Sequence, residues 1–144
     1  MRNLLCAAVA FVGLVMTETF AHAQGANAVT PTGTFGPKPQ GGQGMITFTY
    51  SGTSSYDAQN WRSPQVIVTQ VTWDATANDW ANVPGTEKNF TPAANGTWDG
   101  QQDTFTYVVG KQYNFRAVLK CTSKTGVPPG PVTVATSIQT AYMP

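Results

Sequence analysis

The stretch Gln112-Tyr113-Asn114-Phe115-Arg116-Ala117-Val118-Leu119-Lys120-Cys121-Thr122 carries the strongest structural signal in this sequence. Apolar side chains occupy every second position from Tyr113 to Cys121, whereas Asn114, Arg116 and Lys120 fall between them. A β-strand directs successive side chains to opposite faces, so this period of two predicts a strand with one buried and one solvated face. The apolar positions are the predicted core.

The same alternation occurs elsewhere in the chain, and no segment shows sustained helical periodicity. Further strands are predicted at Met45 to Ser51, Gln65 to Trp73, Asp79 to Val83, Glu87 to Thr91, Asp103 to Val109 and Val132 to Tyr142. With one strand from the N-terminal segment, this pattern predicts an all-β fold, an antiparallel β-sandwich of about seven strands.

Two of these strands give specific expectations about side-chain direction. Gln65 to Trp73 is apolar on both faces, which is typical of a central strand, and Trp73 is predicted to lie in the core. In Val132 to Tyr142, strict alternation places Ile138 and Tyr142 on the same face as Val132 and Val134.

The first 23 residues are predicted to be a secretory signal peptide. Arg2 precedes an apolar run from Leu4 to Met16, and Ala21-His22-Ala23 is a small-x-small cleavage site. We therefore expect a secreted protein, extracellular or periplasmic, with no membrane span after cleavage. Residues 24–44 form a Gly- and Pro-rich segment in which residues 28–35 can supply an edge strand, and residues 45–144 form the sandwich domain.

Composition excludes several classes of function. The formal net charge is +1 and charged residues make up 10% of the chain, so we expect neither nucleic acid nor a membrane surface as partner. Cleavage also removes His22, the only histidine, and with it the general base that a serine or cysteine nucleophile needs. The sequence therefore predicts a non-enzyme that requires no cofactor.

Cys121 is the only cysteine that remains after cleavage, because Cys6 lies within the signal peptide. Its place in the alternating strand predicts a buried core thiol without a disulfide partner. An intermolecular bridge or a reactive thiol is the alternative.

The segment from Gly110 to Ala117 resembles the corner between strands E and F of fibronectin type III domains. In that family a tyrosine follows a turn glycine by three positions, and its hydroxyl caps the corner. Gly110 and Tyr113 have this spacing, and the Gly- and Pro-rich loop 126–131 is similar to the family's F–G connection. The resemblance covers residues 103–142 and implies an immunoglobulin-like or fibronectin type III-like sandwich with a structural role for Tyr113.

Carboxylates offer the weaker candidates for chemistry. Asp74 and Asp79 lie around one turn, and Asp99 and Asp103 lie near another. Their oxygens are of the kind that Ca²⁺ prefers, and paired carboxylates can hydrolyse glycosides. Neither loop matches a calcium motif and aspartate is common in turns, so we interpret them as turn residues and predict no metal site.

Aromatic residues outside the predicted core are the candidate ligand-binding residues. Trp61 and Trp98 are expected in loops, Trp80 on a hairpin arm, and Tyr56 in a polar stretch. Exposed aromatic side chains can stack against sugars or anchor an interface, although they can also fold over the ends of a sandwich.

The sequence thus favours an exported, non-catalytic binding or structural module of the adhesion type, whose partner is a protein or polysaccharide surface. The alternative is a carbohydrate-binding module that uses exposed tryptophans. Coplanar, solvent-exposed indoles at Trp61, Trp80 and Trp98 would favour the carbohydrate-binding module.

Overall fold

The computed structural model describes residues 27–144, so the predicted signal peptide lies outside the described residues. The described part folds into nine strands: β1 (Ala28–Pro31), β2 (Thr34–Phe35), β3 (Met45–Ser55), β4 (Trp61–Asp74), β5 (Asp79–Asn82), β6 (Lys88–Phe90), β7 (Thr97–Thr106), β8 (Gln112–Ser123) and β9 (Pro131–Tyr142). One 3-10 turn, Gln40–Gly42, precedes β3. Between residues 27 and 144 no helix is long and apolar enough to cross a membrane.

The strands form two antiparallel sheets. In the first sheet, β3 lies between β7 on one side and β1 with β2 on the other. In the second, β4 pairs with β8, β8 pairs with β9, and β5 and β6 both pair with the remaining edge of β4. The predicted all-β antiparallel sandwich is confirmed. Each strand named from the sequence has a counterpart in the structure, and the count rises to nine because the N-terminal edge is split into β1 and β2.

The core lies between the sheets and is built from the inward positions of β3 and β8. Phe48 and Phe115 stack with ring centroids 4.5 Å apart, and Tyr50 meets Phe115 edge to face. Leu119 and Cys121 are fully buried in the same core. The alternation in Gln112 to Thr122 therefore predicted this face of β8 correctly.

The N-terminal segment is part of the sandwich, because β1 and β2 pair with β3 along one edge. The Gln139 side-chain amide donates to the Gly33 carbonyl over 2.7 Å and joins this edge to β9. At the opposite edge, Lys88 of β6 forms an ion pair with Asp103 of β7 at 2.9 Å. Polar contacts therefore link the two sheets at both open edges.

Strand β7 differs from its prediction because it spans 97–106 instead of 103–109. Its pairing with β3 skips Gly100, which adopts the left-handed backbone that favours glycine (φ +97°). Trp98 faces inward before this bulge and Phe105 packs inward after it. Since one extra residue inverts the alternation, a single period of two could not describe the strand, and Val109 is exposed beyond its end.

Strand β9 also contains an irregularity, between the pairs Leu119–Ala135 and Lys120–Thr133. The extra residue is Val134, and after it the odd-numbered positions face the core, so Ala141 is buried. The expectation that Ile138 and Tyr142 share the face of Val132 and Val134 is therefore wrong. Tyr142 is 64% exposed.

Candidate functional site

The four predicted ligand-binding aromatics do not form one surface. Trp61 and Tyr56 are partly buried and pack against the core, whereas Trp98 is only 4% exposed. Trp80 lies on the outer side of the five-stranded sheet. Because these side chains are buried to different degrees and lie apart, Trp61, Trp80 and Trp98 do not build a coplanar stacking platform.

Trp98 is a core residue of β7 and Trp61 is the first residue of β4, so the predicted loop positions of both are wrong. The Trp98 indole packs across Phe90 at 4.9 Å and lies over Gly52, where a Cβ atom would come within van der Waals overlap of the ring. The indole Nε1 is buried and has no hydrogen-bond partner among the described residues. Such an unpaired donor costs about 1 to 3 kcal/mol, so the burial of the ring must offset that cost.

Trp73 is 52% exposed, which is a second correction, because it was expected in the core. Strand β4 is apolar on both faces, and the face that packs inward carries Val66 and Val68. Trp73 lies on the other face, directly opposite Trp80 of β5. The two rings meet edge to face, with centroids 5.5 Å apart and an interplanar angle of 77°.

A signal for this exposure was present in the sequence. The turn from Asp74 to Asp79 pairs those two residues, and the next pair outward is Trp73 with Trp80. Directly opposed residues of an antiparallel pair project to the same face. An outward Trp80 therefore required an outward Trp73.

Arg116 supports the tryptophan pair from the neighbouring strand β8. Its Nη2 donates to the Trp80 carbonyl at 2.7 Å, and its Nη1 donates to the Asn82 side-chain oxygen at 3.4 Å. The planar guanidinium holds two atoms of β5 in a fixed geometry. The backbone beneath Trp80 is thereby tied to the sheet.

A cleft of about 470 Å³ opens beside the two indoles, where β4 ends and β8 begins; we call it the aromatic cleft. Its lining includes Trp73, Trp80, Gln70, Lys111, Gln112 and Asn114. Lys111 is the only charged residue of the lining. The Asn114 Oδ1 accepts from the Thr140 hydroxyl at 2.7 Å, so its amide nitrogen is directed to donate. Aromatic surface and amide donors therefore share one opening.

The carboxylates stabilise turns and an edge of the sandwich. Asp74 accepts from the backbone N–H of Thr76 at 2.8 Å, and Asp79 accepts from that of Trp80 at 2.6 Å. Asp99 is exposed on β7. Across residues 27–144 no three His, Cys, Asp or Glu side chains cluster as metal ligands.

Asp103 belongs to a contact between the sheets. It accepts from the Tyr50 hydroxyl at 2.8 Å as well as from Lys88. Burial, together with the carboxylate it contacts, raises the pKa of Tyr50 far above the ordinary range of a phenol. Tyr50 therefore stays a neutral donor at physiological pH.

The remaining predicted structural residues are Gly110, Tyr113 and Cys121. Gly110 has the left-handed backbone of a turn (φ +71°), and the Tyr113 ring is buried. The Tyr113 hydroxyl makes no hydrogen bond within the described part of the chain, so the expected corner cap is absent there, whereas Tyr107 donates to the Pro144 carbonyl at 2.6 Å. Cys121 is fully buried and unpaired, and burial raises the pKa of its thiol.

Comparison with known proteins finds no family model that matches this chain. No curated protein matches it. Among solved structures, a weak similarity is found to the sporulation control protein Spo0M from Bacillus subtilis, with 13% sequence identity and a TM-score of 0.28. The match covers 83% of this chain and 49% of Spo0M, so the chain spans about half the length of that protein. A likeness of this size carries no argument about function, and the chain is assigned to no family.

Proposed function

We propose that the protein is an exported, non-catalytic binding module of the adhesion type, which contacts its partner through the aromatic cleft. The observation that carries the proposal is the pair formed by the half-exposed Trp73 and the partly buried Trp80, whose backbone carbonyl accepts from Arg116. Aromatic residues and arginine are enriched where interfaces gain most of their binding energy. A fixed backbone beneath the indoles lowers the entropic cost of binding.

The module is further proposed to have immunoglobulin-like, fibronectin type III-like connectivity. Two features support it: β3 lies between the N-terminal strands and β7, and β4 and β9 flank β8 in the other sheet. This order matches the division of such sandwiches into two sheets joined by Greek-key connections.

Export rests on the signal peptide predicted at residues 1–23, which implies an extracellular or periplasmic location. Expression of the full chain in a secreting host, followed by mass spectrometry of the exported protein, tests it. We expect a mature N-terminus at Gln24. An uncleaved protein that stays inside the cell would contradict export.

Carbohydrate binding is the second candidate, and one observation favours it over a protein partner. The aromatic cleft combines the indoles of Trp73 and Trp80 with the side-chain amides of Gln112 and Asn114, which are hydrogen-bonded to each other. Sugars present apolar C–H faces and hydroxyl groups, which need these two kinds of surface.

A binding panel of immobilised polysaccharides and extracellular-matrix proteins tests the main proposal. We expect retention on at least one surface, and its loss in the double variant Trp73→Ala/Trp80→Ala. Met45→Ala is the control, because Met45 is similarly exposed but lies on the other sheet, outside the lining of the cleft. Equal retention of both variants would overturn the role of the cleft, and turnover of any polysaccharide would overturn the non-catalytic assignment.

A further inference from the structure

We propose that Asn95 is the acceptor of an N-linked glycan, a modification that the chain receives during export. Asn95-Gly96-Thr97 is an Asn-x-Thr motif, the sequence that oligosaccharyltransferases recognise in secreted proteins. The chain holds a second motif of this kind, Asn89-Phe90-Thr91, whose position in the fold differs. The inference rests on the proposed export and concerns a site away from the aromatic cleft.

The first step concerns access to the side chain. Asn95 is exposed in the turn between β6 and β7. Within this turn the Gly96 N–H donates to the Ala93 carbonyl at 2.8 Å, and the Ser54 N–H of β3 donates to the Gly96 carbonyl at 2.8 Å. The turn is therefore fixed to the sandwich with Asn95 on its outside, so a transferase can reach the side chain without opening a strand.

The second step concerns the orientation of the Asn95 amide. Its Oδ1 accepts from the Thr97 hydroxyl at 2.7 Å and from the Thr97 backbone N–H at 3.1 Å. The amide nitrogen is the donor end of the group, and it makes no hydrogen bond within residues 27–144. The atom that receives the glycan is thus unpaired, and the hydroxyl that the motif requires already contacts the same amide.

The transferred group comes from an oligosaccharide linked to a polyprenyl diphosphate, the donor that such transferases use. The Asn95 nitrogen attacks the anomeric carbon of the first sugar, and an N–C bond forms while the C–O bond to the diphosphate breaks. The diphosphate leaves with the bonding electron pair, and the amide nitrogen loses one proton. Asn95 is only the acceptor, since the catalytic groups belong to the transferase.

The third step concerns space for the first sugar. A cleft of about 480 Å³ lies beside the turn, and its lining includes Tyr56, Pro64, Pro92 and Asn95. The rings of tyrosine and proline suit the apolar C–H face of a sugar. A sugar attached to Asn95 can therefore lie against the protein without displacing a strand.

Asn89 has the same motif in a less favourable position, although it is also exposed. It lies within β6, which is paired with β4, and its carbonyl accepts from the Gln101 side chain. Its amide nitrogen donates to Glu87 at 3.2 Å, and the middle residue of its motif, Phe90, is buried in the core. Transfer to Asn89 in the folded protein would require β6 to leave the sheet.

Expression of the full chain in a eukaryotic secreting cell, followed by mass spectrometry of glycopeptides, tests the inference. We expect a glycan on Asn95 of the secreted protein. Asn95→Gln should lose it, and Thr97→Ala should lose it equally because the hydroxyl of the motif is gone. Thr97→Ser keeps that hydroxyl and is the matched control that should retain the glycan.

A second measurement tests the role of the fold. Purified oligosaccharyltransferase and its lipid-linked donor are added to the folded, unglycosylated protein and to a synthetic peptide of residues 85–101, which contains both motifs without the sheet. We expect modification of the folded protein at Asn95 alone and of the peptide at both asparagines. Equal modification of Asn89 and Asn95 in the folded protein would refute selection by the turn.

The failure of the inference differs from the failure of export. A secreted protein whose Asn95 is unmodified would overturn the glycan site and leave export standing. A chain that stays inside the cell would contradict export, and transfer to the folded protein by the purified enzyme then decides the assignment of Asn95 on its own.

Discussion

The outer faces of the two sheets have different chemistry although both sheets are antiparallel and cover the same core. The outer face of the four-stranded sheet consists mainly of threonines, which we call the threonine face: Thr34, Thr47, Thr49, Thr53, Thr97, Thr104 and Thr106. The corresponding face of the five-stranded sheet carries Trp73, Trp80, Ile138 and Tyr142 around Arg116.

The residues of the threonine face suit both a β-strand and contact with solvent. Thr47 pairs with Thr104, and the Gln102 amide donates to the Thr49 hydroxyl at 3.1 Å. β-Branched residues pack well on a pleated sheet, and threonine hydroxyls can form hydrogen bonds with neighbouring side chains, as Thr49 does. The face that carries Trp73 and Trp80 presents more aromatic surface than a solvated sheet requires, and apolar patches of this kind are typical of interaction sites.

The largest expected effect separates a buried indole from an exposed one. Trp98→Ala should lower the free energy of unfolding by roughly 3 to 5 kcal/mol, because it leaves a cavity beside Phe90. Trp73→Ala should cost about 0.5 to 1.5 kcal/mol, the worth of its edge-to-face pairing with Trp80. Urea denaturation of both variants measures the difference, and equal losses would show that Trp73 is structural.

A second effect concerns the edge contact that joins the two sheets. The folded-state pKa of Tyr50 is raised above its unfolded value. The contribution of the neutral Tyr50 phenol to the free energy of unfolding is therefore complete below about pH 10 and is lost as the pH rises further. Above that pH the wild type should lose up to about 1.4 kcal/mol per pH unit more than Tyr50→Phe does.

The same measurement has an internal control. The raised pKa of the Cys121 thiol acts in the same direction in both proteins, so it cancels in their difference. Parallel pH curves for wild type and Tyr50→Phe above pH 10 would refute the buried, neutral phenol.

On the threonine face the effect should be smaller. Thr47→Ala removes one side of the Thr47–Thr104 pair and should cost about 0.2 to 1 kcal/mol. Binding on the panel should be unchanged, since the aromatic cleft lies on the other sheet. Loss of retention in Thr47→Ala, with the fold intact, would mean that the threonine face also contacts a partner.

The smallest expected effect is at Tyr113. The corner cap would have made Tyr113→Phe cost about 1 to 2 kcal/mol, the value of a buried hydrogen bond. Because the hydroxyl has no partner among the described residues, we expect a change within about 0.5 kcal/mol. Thermal unfolding measures this change in the free energy of unfolding. A loss above about 1 kcal/mol would show that the Tyr113 hydroxyl does cap the corner.

The sequence alone predicted the all-β class, the antiparallel sandwich and the core face of β8, because alternation is a local property of each strand. It also predicted that Cys121 is buried. Its predictions failed where an extra residue enters a strand. The bulge at Gly100 inverts the alternation of β7, so the pattern did not indicate that Trp98 faces inward. The bulge at Val134 directs Ile138 and Tyr142 outward.

Only the tertiary structure decided which face of β4 is the core and which residues form the cleft. Strand β4 is apolar on both sides, so its own pattern does not distinguish Val66 from Trp73. The choice depends on the sheet that covers one side, and on the pairing of β4 with β8 that brings Lys111 to the cleft. These contacts join residues far apart in the chain, and a period of two within one strand carries no information about them.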